Sequence, residues 1–282
     1  MSDRIRLDRY LAEAGAGTRS EVKKIIRAGR VQVVKKPSGQ TGQEGDEGSV
    51  CPAVQGDLKI DPETEEVLLD QKPVKRRLIP TLMLNKPAGV VSATQDTHDR
   101  TVLDLIQEPW ADELFPVGRL DKDTEGLLLL TSDGKMSHEL LSPKRHVKKT
   151  YFAVVSGPSD PALIERFRDG LDIGEKKKTL PAELVFLSKE CLMNGREEHP
   201  VFLKSVSEHD LARCSDEECC VLVTITEGRF HQIKRMFMAV GREVRFLKRI
   251  SMGGLFLDPA LKPGQYRPLA QEELDRLRDI RL

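Results

Sequence analysis

Four consecutive leucines, Leu127–Leu130, are the feature that most constrains how this chain can fold. A short, continuous apolar run bounded by polar residues is typical of a strand buried inside a sheet. Just before it lies a segment with acidic residues at alternate positions between two glycines, Gly118-Arg119-Leu120-Asp121-Lys122-Asp123-Thr124-Glu125-Gly126. The sequence therefore predicts a polar loop that is fixed against a rigid, buried strand.

Strand patterns and helix patterns alternate irregularly beyond the first quarter of the chain. Further strands are predicted at Leu82–Leu84, Thr150–Ser156 and Val221–Thr226. Helices are predicted over 161–169 and from about 231 to 240, and a glycine follows each of them. Because the strands are not spaced as in a doubly wound βαβ fold, we expect an α+β domain with a mainly antiparallel mixed sheet.

The N-terminal residues have the pattern of a small helical module. Leu7, Tyr10 and Leu11 recur at the spacing of one helix face. Thr18 and Glu21 have the spacing of a capping box that begins a second helix. The basic residues expected on the outer surface of this module are Arg6, Arg9, Arg19, Lys23, Lys24, Arg27 and Arg30.

Composition divides the chain into two predicted domains. Residues 1–72 form the small domain, in which 37–57 are rich in glycine and acidic residues and are expected to be a flexible insertion. Residues 73–80 have the composition of a linker, and 81–282 form the larger α+β domain. A length of 282 residues suits two domains.

Charge is segregated along the chain, although the 45 basic and 45 acidic residues cancel in total. Residues 1–36 hold ten basic and four acidic residues, whereas 37–72 hold two basic and nine acidic ones. Basic blocks recur at 142–150 and 229–249. Because a polyanion responds to the local potential, the neutral total does not exclude a nucleic-acid partner.

The sequence indicates an intracellular protein. No stretch approaches the roughly 18 apolar residues of a membrane span, and the charged start of the chain lacks the apolar core of a secretory signal. Five cysteines without a framework spacing indicate reduced thiols. We therefore expect a cytoplasmic protein without a membrane partner.

The polar loop before the leucine run is the densest cluster of candidate catalytic groups. A carboxylate that is flanked by Arg119 and supported by a rigid strand can act as a nucleophile. A polar turn that merely leads into a core strand would have the same composition, so the residues alone leave both interpretations open. Asp121 and Glu125 also match the paired carboxylates of glycosidases, although the surrounding basic segments favour a polyanion over a neutral sugar.

The loop and several later motifs resemble the pseudouridine synthases. Residues 118–131 (GRLDKDTEGLLLLT) are similar to the central motif of the RsuA/RluB/RluE/RluF branch. Its other motifs resemble, in order, 85–90 (NKPAGV), 148–151 (KKTY), 227–236 (EGRFHQIKRM), 247–253 (LKRISMG) and 263–269 (PGQYRPL). The N-terminal module resembles an S4 RNA-binding domain, which implies that its basic surface binds RNA.

This resemblance implies roles for individual residues. Asp121 is identified with the family's catalytic aspartate, Tyr151 with the tyrosine that stacks on the target base, and Lys234 with the basic residue that pairs with that aspartate. The residues implied to bind the substrate nucleotide are Arg119, Arg229, His231 and Arg235. Because the isomerisation of uridine needs a carboxylate beside the uracil rather than a redox centre, neither a cofactor nor a metal is expected.

Ribosomal RNA is the partner that the resemblance implies. The third motif, H-Q-I-K, resembles the H-Q-V-K of small-subunit enzymes more than the N-R-Q-V-R of large-subunit ones, and 170–173 and 178–183 are similar to the same small-subunit enzymes. We therefore expect a monomer that converts uridine 516 of 16S rRNA, free or in a small-subunit assembly intermediate. A 23S rRNA enzyme and a non-catalytic rRNA-binding assembly factor are the alternatives.

Two segments depart from the family pattern, 37–57 and 188–220. The second is long and polar, and it is predicted to be a variable loop. Cys214, Cys219 and Cys220 with His199 and His209 raise the alternative of a zinc site. Because the paired Cys-x-x-Cys spacing of structural zinc sites is absent, the sequence favours the loop.

Overall fold

Two units, Met1–Leu78 and Ile79–Leu282, make up the chain in the computed structural model. The structure describes residues 4–36, 50–52, 56–76, 79–187, 204–215 and 217–279. Among these described residues, no helix has the length and apolar composition needed to cross a membrane.

The N-terminal unit combines two helices with two small sheets. Its elements are β1 (Ile5–Arg6), α1 (Leu7–Glu13), α2 (Arg19–Arg27), β2 (Val31–Lys35), β3 (Val50–Pro52), β4 (Lys59–Ile60), β5 (Glu65–Leu69) and β6 (Lys72–Val74). Strand β1 pairs with β4, and the second sheet has the order β3-β2-β5-β6 with antiparallel pairing throughout.

The helices of this unit form as the sequence predicts. The Thr18 hydroxyl accepts a hydrogen bond from the Glu21 amide, and the Glu21 carboxylate accepts one from the Thr18 amide at 2.8 Å, which confirms the capping box at the start of α2. Apolar side chains from α1 and α2 pack with the strands in one core, which includes Leu7, Leu11, Val22, Ile26, Val31 and Val67.

Two expectations about this unit are corrected. Val50–Pro52 forms a strand inside the predicted insertion 37–57, of which 37–49 and 53–55 lie outside the described residues. Strand β6 extends from the predicted small domain into the predicted linker, and the Tyr10 hydroxyl donates to the Val74 carbonyl at 3.0 Å. Lysine and proline are common in linkers, but edge strands carry them as well, and β6 is the edge of its sheet.

The C-terminal unit is built around one sheet. Its strands and helices are β7 (Leu82–Lys86), β8 (Phe115–Pro116), β9 (Glu125–Thr131), α3 (Gly134–Leu141), β10 (Lys149–Ser156), α4 (Ala162–Arg168), β11 (Glu183–Leu187), α5 (Glu208–Leu211), β12 (Glu218–Ile225), α6 (Gln232–Met238), β13 (Val244–Met252), β14 (Leu255–Phe256), β15 (Tyr266–Pro268) and α7 (Gln271–Arg278). Short 3-10 turns lie at Leu103–Leu105, Ala111–Glu113 and Pro143–Arg145.

Nine strands form this sheet in the order β11-β12-β10-β13-β9-β7-β15, with β14 added to β13 and β8 added to β9. The pairing of β9 with β13 is parallel, and the other strand pairs are antiparallel. The sheet is therefore mainly antiparallel, which confirms the expected α+β class.

The leucine run forms the buried strand β9 near the centre of the sheet. Leu128 and Leu130 belong to the main core on one face, whereas Leu127 and Leu129 belong to a second core on the other face. Gly126 begins the run with a φ of +101°, and a Cβ atom there would lie 2.2 Å from the Arg249 carbonyl oxygen. Only glycine allows β9 and β13 to approach this closely.

Part of the predicted variable loop 188–220 is instead packed on the sheet. Val206, Leu211 and Cys214 form a third core of this unit with side chains from β10 and β13, including Phe152 and Phe246. The Arg213 guanidinium lies 4.3 Å from the centre of the Phe246 ring. The described stretch 204–215 is therefore part of the fold, while 188–203 lies outside the described residues.

A buried ion pair fastens this stretch to β13. The Lys248 ammonium donates to the Asp210 carboxylate at 2.6 Å, and the two side chains are 7% and 4% exposed. The same carboxylate accepts hydrogen bonds from the amide and hydroxyl of Ser207, both at 2.8 Å. Because both charges are removed from water, each depends on the other for its compensation.

We expect Lys248→Met to lower the free energy of unfolding by about 3–5 kcal/mol, because Asp210 would stay buried without its cation. Urea denaturation followed by circular dichroism measures this change. The double variant Lys248→Met/Asp210→Leu removes both charges and should recover most of the loss.

The exposed pair Arg168–Glu165, at 2.9 Å, supplies the control. Arg168→Met should change the free energy of unfolding by less than about 1 kcal/mol. If Lys248→Met is no more destabilising than Arg168→Met, the buried pair does not hold this stretch in place.

Candidate active site

An open cavity of about 390 Å³ lies beside the polar loop that precedes β9. Its lining residues come from the loop, from the turn after β7 and from the start of α6: Ala88, Gly89, Asp121, Lys122, Asp123, His231 and Lys234. The Asp121 side chain is about one-quarter exposed, so its carboxylate is accessible from the cavity. The loop and the third family-like motif, far apart in sequence, therefore meet at one cavity.

Lys234 on α6 lies between two carboxylates of the loop. Its ammonium is 3.2 Å from Asp121 and donates to Asp123 at 2.6 Å. The family motif predicts the first of these contacts but not the second. Burial lowers the pKa of Lys234, but the two carboxylates outweigh this effect, so its pKa lies above the usual value. Burial raises the pKa of Asp123, but the hydrogen bond and the charge of Lys234, with smaller contributions from a backbone hydrogen bond and His231, together outweigh it, so the pKa of Asp123 is lowered.

His231 brings an imidazole to the same carboxylate. It is the residue before α6, with a φ of +50°, and its Nε2 atom lies 3.5 Å from Asp121 Oδ1. The neighbouring Phe230 ring stacks on the imidazole with 3.9 Å between ring centres and 16° between planes. Asp121 thus faces an ammonium and an imidazole.

Lys86, at the end of β7, holds the loop from beneath and was missed by the sequence analysis. Its side chain is fully buried, and its ammonium donates to the carbonyls of Pro87, Asp121, Lys122 and Thr124 at 2.9–3.2 Å. Burial lowers the pKa of Lys86 to about 8, and nearby carboxylates oppose this shift in part. An ionisable residue that closes an apolar strand is the sequence signal that could have identified it.

Further hydrogen bonds tie the loop to the chain after β7. The Gly89 amide donates to the Lys122 carbonyl at 2.8 Å. The Ser92 hydroxyl donates to the Leu120 carbonyl at 2.9 Å and accepts from the Leu120 amide at 3.1 Å. Gly89 of the motif at 85–90 and Ser92 just after it thus position the backbone on the two sides of Asp121.

Tyr151 and Arg119 do not line the cavity. Tyr151 lies on β10, is 7% exposed and packs in the main core. Arg119 is exposed on the loop next to Leu120. Of the residues that the resemblance assigns to the site, the structure brings Asp121, Lys234 and His231 together.

Arg229 and Arg235 bind another part of the protein. Arg229 donates to the carbonyls of Lys177 and Lys178, both at 2.8 Å, and forms ion pairs with Glu227 at 3.0 Å and Glu175 at 3.3 Å. Arg235 pairs with Glu175 at 2.5 Å and donates to the carbonyls of Ile173 and Phe230. These contacts fix 173–178, and the binding of the substrate nucleotide by Arg229 and Arg235 stays a prediction.

The basic side chains of the N-terminal unit divide into two groups. Arg6 pairs with Asp8, Arg9 with Glu13 and Arg30 with Asp70, at 2.5–2.7 Å, and the hydrogen bond from Arg6 lowers the pKa of Asp8. The members of the second group are exposed on α2: Arg19, Lys23, Lys24 and Arg27. A cavity of about 380 Å³ in this unit is lined by Arg6, Asp8, Lys23, Ile26, Arg27, Gly56 and Asp57.

The described part of the chain contains no cluster of three or more His, Cys, Asp or Glu residues arranged to hold a metal ion. Cys214, Cys219 and Cys220 are free thiols, and burial raises the pKa of Cys219 and Cys220. His199 lies outside the described residues.

Comparison with known proteins identifies two family matches. The model of RNA pseudouridylate synthase matches residues 80–239, and the model of the S4 domain matches residues 5–37. The first match spans the loop, the buried strand and α6, and the second spans both N-terminal helices.

Whole-length relatives agree with these matches. The protein named uncharacterized RNA pseudouridine synthase YtzG, from Bacillus subtilis (strain 168), is 41% identical over 276 residues, which cover 98% of this chain and 99% of that protein. Ribosomal small subunit pseudouridine synthase A of Escherichia coli (strain K12) is 35% identical over 272 residues, covering 96% and 98%. A crystal structure of pseudouridylate synthase is 33% identical with a TM-score of 0.59, and the match covers 97% of this chain and 99% of that one.

The lowered pKa of Lys86 makes a prediction about stability. Between pH 8 and 10.5 the Lys86 ammonium loses its proton in the folded protein but keeps it in the unfolded chain. Because the unfolded chain binds more protons, Lys86 makes the free energy of unfolding rise with pH in this range. The contribution to the slope is at most about 1.4 kcal/mol per pH unit. We expect Lys86→Met to remove it, as measured by urea denaturation at several pH values in this range.

Lys149 supplies a positive control, because burial also lowers its pKa to about 8. Lys149→Met should therefore remove a similar slope. If the free energy of unfolding of Lys86→Met rises with pH as steeply as that of the wild type, burial does not lower the pKa of Lys86.

Proposed function

The chain belongs to the RNA pseudouridylate synthase family, and we propose that it converts uridine 516 of 16S ribosomal RNA into pseudouridine with Asp121 as the catalytic carboxylate. One observation carries the assignment of Asp121: its carboxylate faces an open cavity and is contacted by Lys234 and His231. The choice of small-subunit RNA is supported by full-length relatives that are named for that substrate.

The reaction balances without an external oxidant or reductant. The bond between uracil N1 and ribose C1′ breaks, the base turns, and a new bond forms between C5 and C1′. C5 loses a proton and N1 gains one, so substrate and product are isomers. The chemistry therefore calls for a nucleophilic or charge-stabilising group beside the sugar and a proton carrier beside the base, which are roles that carboxylates fill.

The surroundings of Asp121 suit the first of these roles. The backbone on either side of Asp121 is held by Lys86 and Ser92, so its carboxylate has a fixed position relative to the cavity. Lys234 balances its charge from 3.2 Å and is itself steadied by Asp123. A nucleophile held in this way needs little rearrangement when the substrate arrives.

The target uridine must leave its stack to reach the carboxylate, which costs a few kcal/mol. A cavity of about 390 Å³ lies within the usual range for ligand sites. We assign to Tyr151 the role of stacking on the base, on the strength of the family motif. In this structure Tyr151 is anchored in the main core and does not line the cavity, so the motif alone supports this role.

The other proposed features follow from an RNA substrate. The S4 domain would hold a second part of the ribosomal RNA through the exposed basic face of α2. The enzyme would act as a monomer in the cytoplasm, where small subunits are assembled. Modification of 23S rather than 16S rRNA would instead assign the large-subunit function, and RNA binding without modification would assign an assembly factor.

We expect Asp121→Asn to abolish pseudouridine formation, a loss of roughly 10³-fold or more, because the amide cannot supply the carboxylate. Ribosomal RNA transcripts or assembling subunits are incubated with the enzyme, and pseudouridine is mapped by chemical adduct formation and primer extension.

Asp123→Asn is the matched control, since Asp123 also pairs with Lys234 but its side chain is 72% exposed. The rate of pseudouridine formation by Asp123→Asn should be less than about tenfold below the wild-type rate. Undiminished modification by Asp121→Asn, or an equal loss in both variants, would overturn the assignment of Asp121.

We expect the triple variant Lys23→Gln/Lys24→Gln/Arg27→Gln to bind 16S rRNA more weakly and with less salt dependence. Log affinity falls as log salt concentration rises, and removal of three phosphate contacts should make the steepness of this fall smaller by about 2–3. Filter binding from 50 to 300 mM salt measures the slope. Lys35→Gln, an exposed lysine of β2, controls for the loss of charge in the same unit, and an unchanged slope in the triple variant would exclude α2 from the RNA contact.

A further inference from the structure

An aromatic ring stands in solvent beside the active-site cavity. Phe230 is 75% exposed, the largest exposed fraction among the large apolar residues that the structure describes. It precedes His231, which lines the cavity and lies 3.5 Å from Asp121. A single exposed apolar side chain is not unusual by itself. This ring, however, lies next to a residue that lines the cavity, where a bound molecule can contact it.

Two contacts hold Phe230, one to its ring and one to its backbone. Its face stacks on the His231 imidazole at 3.9 Å, and its backbone carbonyl accepts a hydrogen bond from Arg235 at 3.2 Å. One face of the ring is therefore covered by protein while the rest remains open. A ring that is fixed in advance loses little conformational entropy when a second ring stacks on it.

Arg235 and Arg229 together connect Phe230 to a segment with three consecutive lysines. Arg235 pairs with Glu175, and Arg229 holds the carbonyls of Lys177 and Lys178 at 2.8 Å. With their backbone fixed in this way, the side chains of Lys176, Lys177 and Lys178 remain exposed. Arg229, Arg235 and Glu175 thus link the backbone of Phe230 to the segment that carries these three exposed lysines.

We propose that Phe230 and Lys176–Lys178, called here the stacking rim, bind single-stranded RNA that adjoins the target uridine. In this proposal Phe230 stacks on an unpaired neighbouring base, and the lysines contact the phosphates that lead to it. The inference rests on the proposed function, because it takes the cavity to be the site of the target uridine. Arg229 and Arg235 are then positioning residues of the rim.

The chemistry of the rim favours unpaired RNA over other occupants. Base–aromatic stacking combined with cations along the backbone is the usual means of binding single strands, and it tolerates different base sequences. A duplex hides the faces of its bases, and its phosphates alone would leave the ring unused. A protein partner would be expected to cover a contiguous apolar patch, whereas Phe230 lies between Arg229 and His231 in the chain and its carbonyl is bound by Arg235.

The first test measures stacking directly. A short single-stranded RNA with the 16S target sequence carries 2-aminopurine next to the target uridine, and its fluorescence is recorded on binding. We expect quenching with the wild type and with Phe230→Tyr, and loss of quenching with Phe230→Ala. Met238→Ala, which removes a 69% exposed side chain from α6, is the matched control and should quench as the wild type does.

The same variants are compared in pseudouridine formation on the 16S transcript. Phe230→Ala should lower kcat/KM by roughly tenfold or more, whereas Phe230→Tyr should stay near the wild-type value. The triple variant Lys176→Gln/Lys177→Gln/Lys178→Gln should keep the quenching at low salt and lower the salt slope of binding by about 2. Arg276→Gln/Arg278→Gln on α7 controls for the loss of surface charge.

Failure of this inference can be distinguished from failure of the proposed function. Absence of pseudouridine with the wild-type enzyme would refute the function, while the quenching experiment would still report on the rim. If Phe230→Ala shows the same quenching and the same kcat/KM as the wild type, the proposal that the stacking rim binds RNA is refuted. Tighter binding of a fully paired duplex than of the single strand would overturn it as well.

Discussion

The hydrogen bonds of the buried Lys86 ammonium are the interaction on which the rest of the candidate active site depends. A cation that is fully withdrawn from water must be compensated, and here four backbone carbonyls supply the compensation. Three of these carbonyls belong to the loop that carries Asp121. The loop can take another conformation only if the ammonium loses its acceptors, so the position of the carboxylate is set from beneath by a charge that never faces the cavity. Lys234 and His231 then complete the site from the opposite side.

Much of the fold could be predicted because it depends on local patterns. The leucine run, the capping box of α2 and the antiparallel class follow from apolar spacing and from hydrogen bonds between near neighbours. The family resemblance, which the whole-length matches confirm, also pointed to the loop and to α6. Lys86 stands out as an ionisable residue at the end of an apolar strand, but its partners could not be predicted, since they are backbone carbonyls, which every residue carries. The pairing of Asp123 with Lys234 depends on the path of the loop rather than on residue type.

Arg229 and Arg235 show a different limit of sequence reasoning. Their charge made them natural candidates for substrate contact, but their partners include Glu175 and carbonyls that lie 51 to 62 residues earlier in the chain. A sequence shows that a charge is present, whereas only the fold shows whether another part of the protein already neutralises it. Charge totals hide local charge in a similar way, because the acidic residues of 37–72 offset the basic blocks in the sum. Strand β6 is a further case, since its lysine and proline resemble a linker and only the pairing with β5 shows that it is a strand.

The strand order has a consequence for how the protein reaches its active form during synthesis. Strand β9, which supports the Asp121 loop, pairs with β7 early in the chain, but its other neighbour is β13, and β7 is completed only by β15 near the C-terminus. The N-terminal unit contains its own core and can fold as soon as it leaves the ribosome. The C-terminal unit must wait for its last strands, because contacts between distant segments form late and slowly. A nascent chain would therefore possess a folded RNA-binding unit well before its catalytic unit is complete.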